Sequence, residues 1–271
     1  MHRAAKLGRF LLKIGIAYAI MVAILWAMQD RFVYPAPDRI VDPPPGYEVV
    51  MLQTADGLAL RSFALPAREE MPTVVYFHGN GSSLDGPLRA TRLLAEAGYG
   101  LLLVEYRGYG GNPGEPSEQG FYRDGRAALS WLSEQGVPNS QTIFAGNSIG
   151  SGTAVQMARE YTPCVLMLTA PFLSLPETAQ DALPFVPAGL LMRDRFDNAA
   201  KIGNLDLPLF IMHGREDRVV PFEHGKALAG LAKSAAFRPF DSYGHELSFR
   251  ADAQAAQREW LDQLLGGGAC T

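Results

Sequence analysis

From residue 73 onward the chain alternates short apolar runs with longer segments of helical spacing, and that alternation restricts its fold more than any other feature. Thr73–Phe77, Gly100–Tyr106, Thr142–Ala145, Val165–Thr169, Leu209–Met212 and Ala236–Phe240 read as strands. Leu88–Ala97, a stretch from Ser117 to about Gln135, Ile149–Glu160, Glu223–Ser234 and Glu246–Leu265 read as helices. Ahead of them, Val49–Gln53 and Leu58–Ala64 flank Asp56-Gly57, a hairpin signal. Strands that are apolar throughout must be buried on both faces. The expected fold class is therefore α/β, a mostly parallel eight-stranded sheet with helices on both faces. Ligands of such sheets bind beyond the carboxyl ends of the strands, so functional residues are expected just after them.

The first forty residues obey a different rule. Ile14–Met28 carries no charge over fifteen residues, and adding Phe10–Lys13 extends the run to nineteen. About 20 mostly apolar residues are needed to cross the hydrocarbon of a bilayer. Arg3, Lys6, Arg9 and Lys13 precede or open the run, whereas Arg31 and Arg39 follow it among Asp30, Asp38 and Asp42. The positive-inside bias then predicts a single-pass signal-anchor, with the N-terminus cytoplasmic and the rest extracytoplasmic, periplasmic in a Gram-negative host. A cleaved signal peptide is the rival reading. It is disfavoured by the length of the run and by the lack of a small-x-small site after it. Asp42-Pro43-Pro44-Pro45-Gly46 reads as a stiff spacer. The expected organisation is a basic head and membrane helix over 1–30, a proline-rich linker over 31–46 and one α/β domain over 47–271.

A net charge of −4 argues against a nucleic-acid partner, which would need a basic face. Two cysteines cannot build a disulfide framework, and no C-x-x-C is present for zinc or redox work. Cys164, at the start of a strand, reads as a small buried hydrophobe, and Cys270 falls in a frayed tail. No metal or cofactor is implied.

Gly146-Asn147-Ser148-Ile149-Gly150 follows an apolar strand and opens a helix, the setting of a nucleophile elbow. Its tight turn needs small residues two before and two after the serine, and it lifts the hydroxyl to a helix N-terminus. The structural alternative is an ordinary glycine-rich βα turn. A serine hydroxyl needs a base. Of the five histidines, His2 lies in the charged head, His78 and His213 each end a strand before glycine, and His224 opens a helix and reads as solvated. His245 follows the last strand, which leaves it as the candidate base. Asp217, a short loop beyond a strand, is the candidate carboxylate, ahead of Glu216 and Asp241. The oxyanion donors are expected from the backbone of Ile149 and of Asn80, with Gly81 second. The order Ser148, Asp217, His245 is that of one of the three major serine-hydrolase folds.

Phe77-His78-Gly79-Asn80, Glu105–Gly110, Gly114–Glu118, Gly146–Gly150, Arg193–Asp197, His213–Pro221, Gly244-His245 and even Arg31–Pro35 together resemble the α/β-hydrolase superfamily. The resemblance is to its membrane-anchored branch related to lysophospholipases and acyl-protein thioesterases. It covers nearly the whole chain. One departure is Glu246-Leu247, where family members often carry Asn-Asp. The resemblance implies a serine hydrolase but does not assign its substrate; the activity expected here is cleavage of a carboxylic ester or thioester, with a small-molecule or lipid acyl ester as substrate. It also implies that the insertion at about 171–205 is a cap over the site; its apolar stretches Pro171–Pro176 and Leu183–Met192 are read either as contacting an acyl chain close to the bilayer or as a lid packed on its own core. A peptidase, an acyltransferase and a non-catalytic membrane-tethered scaffold remain as alternatives.

Overall fold

The structure, a computed structural model, describes residues 2–69 and 71–270. It opens with α1 (His2–Val33), followed by β1 (Glu48–Gln53), β2 (Ala59–Leu65), β3 (Thr73–Phe77), α2 (Asp85–Ala90), α3 (Arg92–Ala97) and β4 (Gly100–Val104). Next come α4 (Glu118–Glu134), β5 (Thr142–Asn147), α5 (Gly150–Tyr161), β6 (Val165–Thr169), α6 (Leu175–Ala182), α7 (Ala188–Leu191) and α8 (Ala199–Ile202). The chain closes with β7 (Leu209–Gly214), α9 (Phe222–Leu231), β8 (Ala236–Phe240) and α10 (Ala251–Gly266).

The eight strands form one sheet in the order β1-β2-β4-β3-β5-β6-β7-β8. β1 pairs β2, and β2 pairs β4, antiparallel; every other pairing is parallel. β3 to β7 are buried along their whole length. Successive side chains of one strand feed opposite layers, as the two-residue period requires. Val75, Phe77, Phe144 and Leu166 enter one core, while Val74, Tyr76, Ile143 and Val165 enter the other. The register sets Phe77 opposite Gly146 and Asn147 opposite Thr169, so the ends of β3, β5 and β6 lie side by side.

Several local features depart from the sequence pattern. The expected helix over 88–97 is broken at Thr91, whose hydroxyl donates to the Pro87 carbonyl. The closing helix begins only at Ala251, because His245–Phe249 forms a 3₁₀ turn. Cys164 and Cys270 are not a free buried thiol and a frayed end: they form a disulfide that ties the C-terminal tail to the start of β6.

α1 is long and apolar enough to cross a membrane over Ala5–Val33, with a mean hydropathy of 2.2. The proline-rich segment after it is packed on the domain instead of standing free. Tyr34 is buried edge-on to Phe121, and the Gly110 amide donates to the Pro37 carbonyl. α6, α7 and α8 make up the 171–205 insertion. Ser174 caps α6 by accepting from the Glu177 amide.

Candidate active site

The turn after β5 carries the most constrained backbone in the site. Ser148 has φ +52, a left-handed conformation that costs a non-glycine residue about 1–2 kcal/mol. The turn is held by its surroundings: the Ser148 amide donates to the Thr169 carbonyl at 2.9 Å. A Cβ on Gly150 would lie 2.1 Å from the Phe77 carbonyl oxygen, and one on Gly146 2.6 Å from the Gly150 carbonyl oxygen. Both positions therefore require glycine, as the sequence pattern implied. Ser148 is largely buried, with α5 starting two residues later.

The structure brings Ser148, His245 and Asp217 together. His245 Nε2 is 3.0 Å from Ser148 Oγ, and His245 Nδ1 is 2.8 Å from Asp217 Oδ2. An ionised carboxylate only accepts, so Nδ1 carries the proton and Nε2 is left to accept from the serine hydroxyl. Asp217 Oδ1 accepts from the amides of Val219 and Val220. Burial by itself would raise the Asp217 pKa. The adjacent His213, the hydrogen bond and charge of His245 and the Val220 amide outweigh it and hold the carboxyl well below the usual range. The two rival carboxylates lie elsewhere: Glu216 is exposed, and Asp241 pairs with Arg215 at 2.7 Å.

The loop after β3 passes directly over the elbow. A Cβ on Gly79 would be 3.3 Å from the Ser148 Cβ. Asn80 follows, and its side chain is held at both ends: Oδ1 accepts from the Tyr109 hydroxyl, and Nδ2 donates to the carbonyl of Val33, the last residue of α1. A pocket of about 430 Å³ opens here, lined by His78, Asn80, Ser148, Val219, His245 and Phe249 among others. No residue of the 171–205 insertion lines it.

Three features escape the sequence. Glu105, buried at the end of β4, grips both ends of the Asn80 loop. Its Oε1 accepts from His78 Nε2, and its Oε2 accepts from the Ser83 hydroxyl and the Leu84 amide. In the sequence it stands as a carboxylate ending an apolar strand and as the first residue of the Glu105–Gly110 stretch, neither of which points to the loop it holds. His224, expected in solvent, is buried: Nδ1 accepts from the Leu173 amide and Nε2 meets Asp181 of α6 at 2.7 Å. His213 donates from Nε2 to the Val220 carbonyl and stands 3.4 Å from Asp217 Oδ2, behind the candidate dyad.

Comparison with known proteins bears on the fold. A family model described as the alpha/beta hydrolase fold matches residues 72–196. An uncharacterized Mycobacterium tuberculosis protein is 35% identical over 222 residues, covering 78% of each chain. The Danio rerio lysophosphatidylserine lipase ABHD12 is 29% identical over 211 residues, 66% of this chain and 55% of that one. Among solved structures, a Pyrococcus furiosus esterase superposes with a TM-score of 0.68 at 17% identity, over 84% of this chain and 96% of its own. With its eight-stranded sheet, its elbow and these relatives, the chain belongs to the α/β-hydrolase fold family.

Proposed function

We propose that the protein is a membrane-anchored serine hydrolase that cleaves a carboxylic ester or thioester of a lipid-like acyl substrate. The observation that carries this reading is the 3.0 Å approach of His245 Nε2 to Ser148 Oγ, with Asp217 behind the ring. In this mechanism Ser148 Oγ attacks the acyl carbonyl while its proton passes to His245 Nε2. Asp217 keeps the ring in the required tautomer and stabilises the imidazolium. The amides of Ile149 and Asn80 receive the developing oxyanion. His245 then protonates the departing alcohol or thiol, leaving an acyl-enzyme. A water, deprotonated by His245, attacks the acyl carbon and returns Ser148 to its starting state.

Two features support an extracytoplasmic domain. Arg3, Lys6, Arg9 and Lys13 cluster on the N-terminal side of the apolar run. The Cys164–Cys270 disulfide belongs in an oxidising compartment.

The reading is tested by fluorophosphonate labelling of membrane-inserted protein. The wild type is expected to label, whereas Ser148→Ala and His245→Ala are not. Turnover of an acyl ester should fall on the order of 10⁴- to 10⁶-fold in Ser148→Ala. Absence of labelling in folded wild-type protein would sink the assignment and favour a non-catalytic scaffold.

A further inference from the structure

The 171–205 insertion does not line the Ser148 pocket; it lies along α1. Tyr18, in the middle of the uncharged run, donates its hydroxyl to the Phe185 carbonyl at 2.7 Å. Nearer the C-terminal end of α1, Gln29 Oε1 accepts from the Arg193 amide and Asp30 pairs with the Arg193 guanidinium at 2.8 Å. Tyr18 and Asp30 are separated by about 18 Å of helix. The insertion therefore runs from the helix's polar end down beside its apolar middle.

The chemistry of residues 182–192 matches that position. The segment has no charged side chain. Leu183, Phe185 and Leu190 are exposed, Leu190 at 87%. Exposed apolar side chains of this density are unfavourable in water and favourable in hydrocarbon.

The backbone carbonyls agree, while among the described residues the Phe185 and Gly189 amides have no acceptor. A segment in lipid must satisfy its own polar groups. Every carbonyl from Leu183 to Gly189 has a donor. Val186, Ala188, Leu190 and Met192 amides serve Leu183, Val186, Pro187 and Ala188. Side chains of Gln180, Tyr18 and Arg195 serve Pro184, Phe185 and Gly189. Pro184 and Pro187 have no amide hydrogen to satisfy.

Between this segment and α1 lies a cavity of about 400 Å³, within the size range of small-ligand sites. Leu25, Phe32 and Val33 form one wall, and Ala179, Leu183 and Leu191 the other. The polar lining residue, Gln29, has its amide turned to the Trp26 carbonyl and the Arg193 amide. Val33, which lines this cavity, accepts through its carbonyl from Asn80, which lines the Ser148 pocket.

We propose that residues 183–192 dip into the leaflet beside α1, and that the cavity between them takes the acyl chain of a lipid drawn laterally from that leaflet. The catalytic use of this chain rests on the reaction proposed above; the membrane contact does not.

The test uses the full-length protein in phosphatidylcholine vesicles doped with a phosphatidylcholine carrying a photoactivatable diazirine on its acyl chain. Adducts are expected on residues 183–192 as well as on α1. Adducts confined to α1 would overturn the proposal. Ala179→Phe, which fills the cavity, should reduce the 183–192 adducts. It should also lower the ratio of kcat/KM for a long-chain ester to that for a short-chain ester about tenfold, the effect of excluding roughly two methylenes. Unchanged adducts and an unchanged ratio would remove the cavity from the proposal. Wild-type protein that gives the adducts but cleaves neither ester would sink the proposed reaction alone.

Discussion

Asp217 holds His245 through a single 2.8 Å contact between Oδ2 and Nδ1, while the Asp217 Oδ1 is occupied by two backbone amides. The carboxylate therefore cannot rotate without breaking three hydrogen bonds, and the imidazole it faces is fixed in one tautomer. On the proposed mechanism, Asp217→Asn presents an amide to Nδ1 and favours the wrong tautomer. We expect kcat to fall on the order of 10⁴-fold with little change in KM. Steady-state kinetics on a soluble acyl ester would measure it, and a loss below tenfold would remove Asp217 from the role.

The same carboxylate predicts an acid limit to stability. Its pKa is depressed from 3.8 in the folded chain, so the folded state binds fewer protons than the unfolded one near that pH. Its contribution is fully present above about pH 4–5 and declines as the pH falls further. Asp217→Asn should accordingly be less stable than wild type at pH 7, with the gap narrowing towards pH 3. Urea midpoints across that range would show the convergence; a gap independent of pH would contradict it.

What could be read from the sequence follows physical rules that act locally. β3, β6 and β8 span the same residues that the sequence pattern marks as strands. The elbow was legible for the same reason, because the spacing of Gly146 and Gly150 encodes a steric need. Features set by distant packing were not. Thr91 interrupts a helical pattern without a glycine or proline to mark it. Cys164 and Cys270 are 106 residues apart, and only the docking of the C-terminal tail on the sheet brings them together. His224 is buried because α6 supplies Asp181, and no local pattern announces that partner. The cap illustrates the same limit: its apolar character was visible, but not that it would lie against α1 rather than over Ser148.

Glu105 is expected to act as a positioning residue. It holds His78 at one end of the Asn80 loop and Ser83 with Leu84 at the other. Glu105→Gln keeps the shape but turns one acceptor into a donor, so one of these anchors is lost. If the Asn80 amide serves the oxyanion, kcat should drop by about 10–100-fold, less than for outright loss of an oxyanion donor, with KM changing far less. Equal changes in kcat and KM would point to a distorted pocket instead.

Gly150 offers a test of the elbow that does not depend on activity. A methyl group there would meet the Phe77 carbonyl oxygen at 2.1 Å, a backbone atom inside the sheet that has no freedom to move aside. Gly150→Ala should cost about 3 kcal/mol or more and lower Tm by roughly 10 °C. Gly230→Ala provides the contrast, since its new Cβ meets nothing within 4 Å and the position lies inside α9. That change should be neutral or stabilising by up to about 1 kcal/mol. Thermal melts of both variants in the same detergent would settle the comparison.

The disulfide gives the last prediction. Closing a loop of 106 residues restricts the unfolded chain strongly, and bridges of this kind contribute about 2–4 kcal/mol. Cys164→Ala with Cys270→Ala should lower Tm by roughly 5–15 °C. A reductant should produce the same shift in the wild type and none in the double variant. The comparison also bears on topology. Protein extracted from cells under thiol-blocking conditions should carry no free thiol if the domain matures in an oxidising compartment. Full alkylation of both cysteines in that experiment would place the domain on the reducing side of the membrane and overturn the proposed orientation.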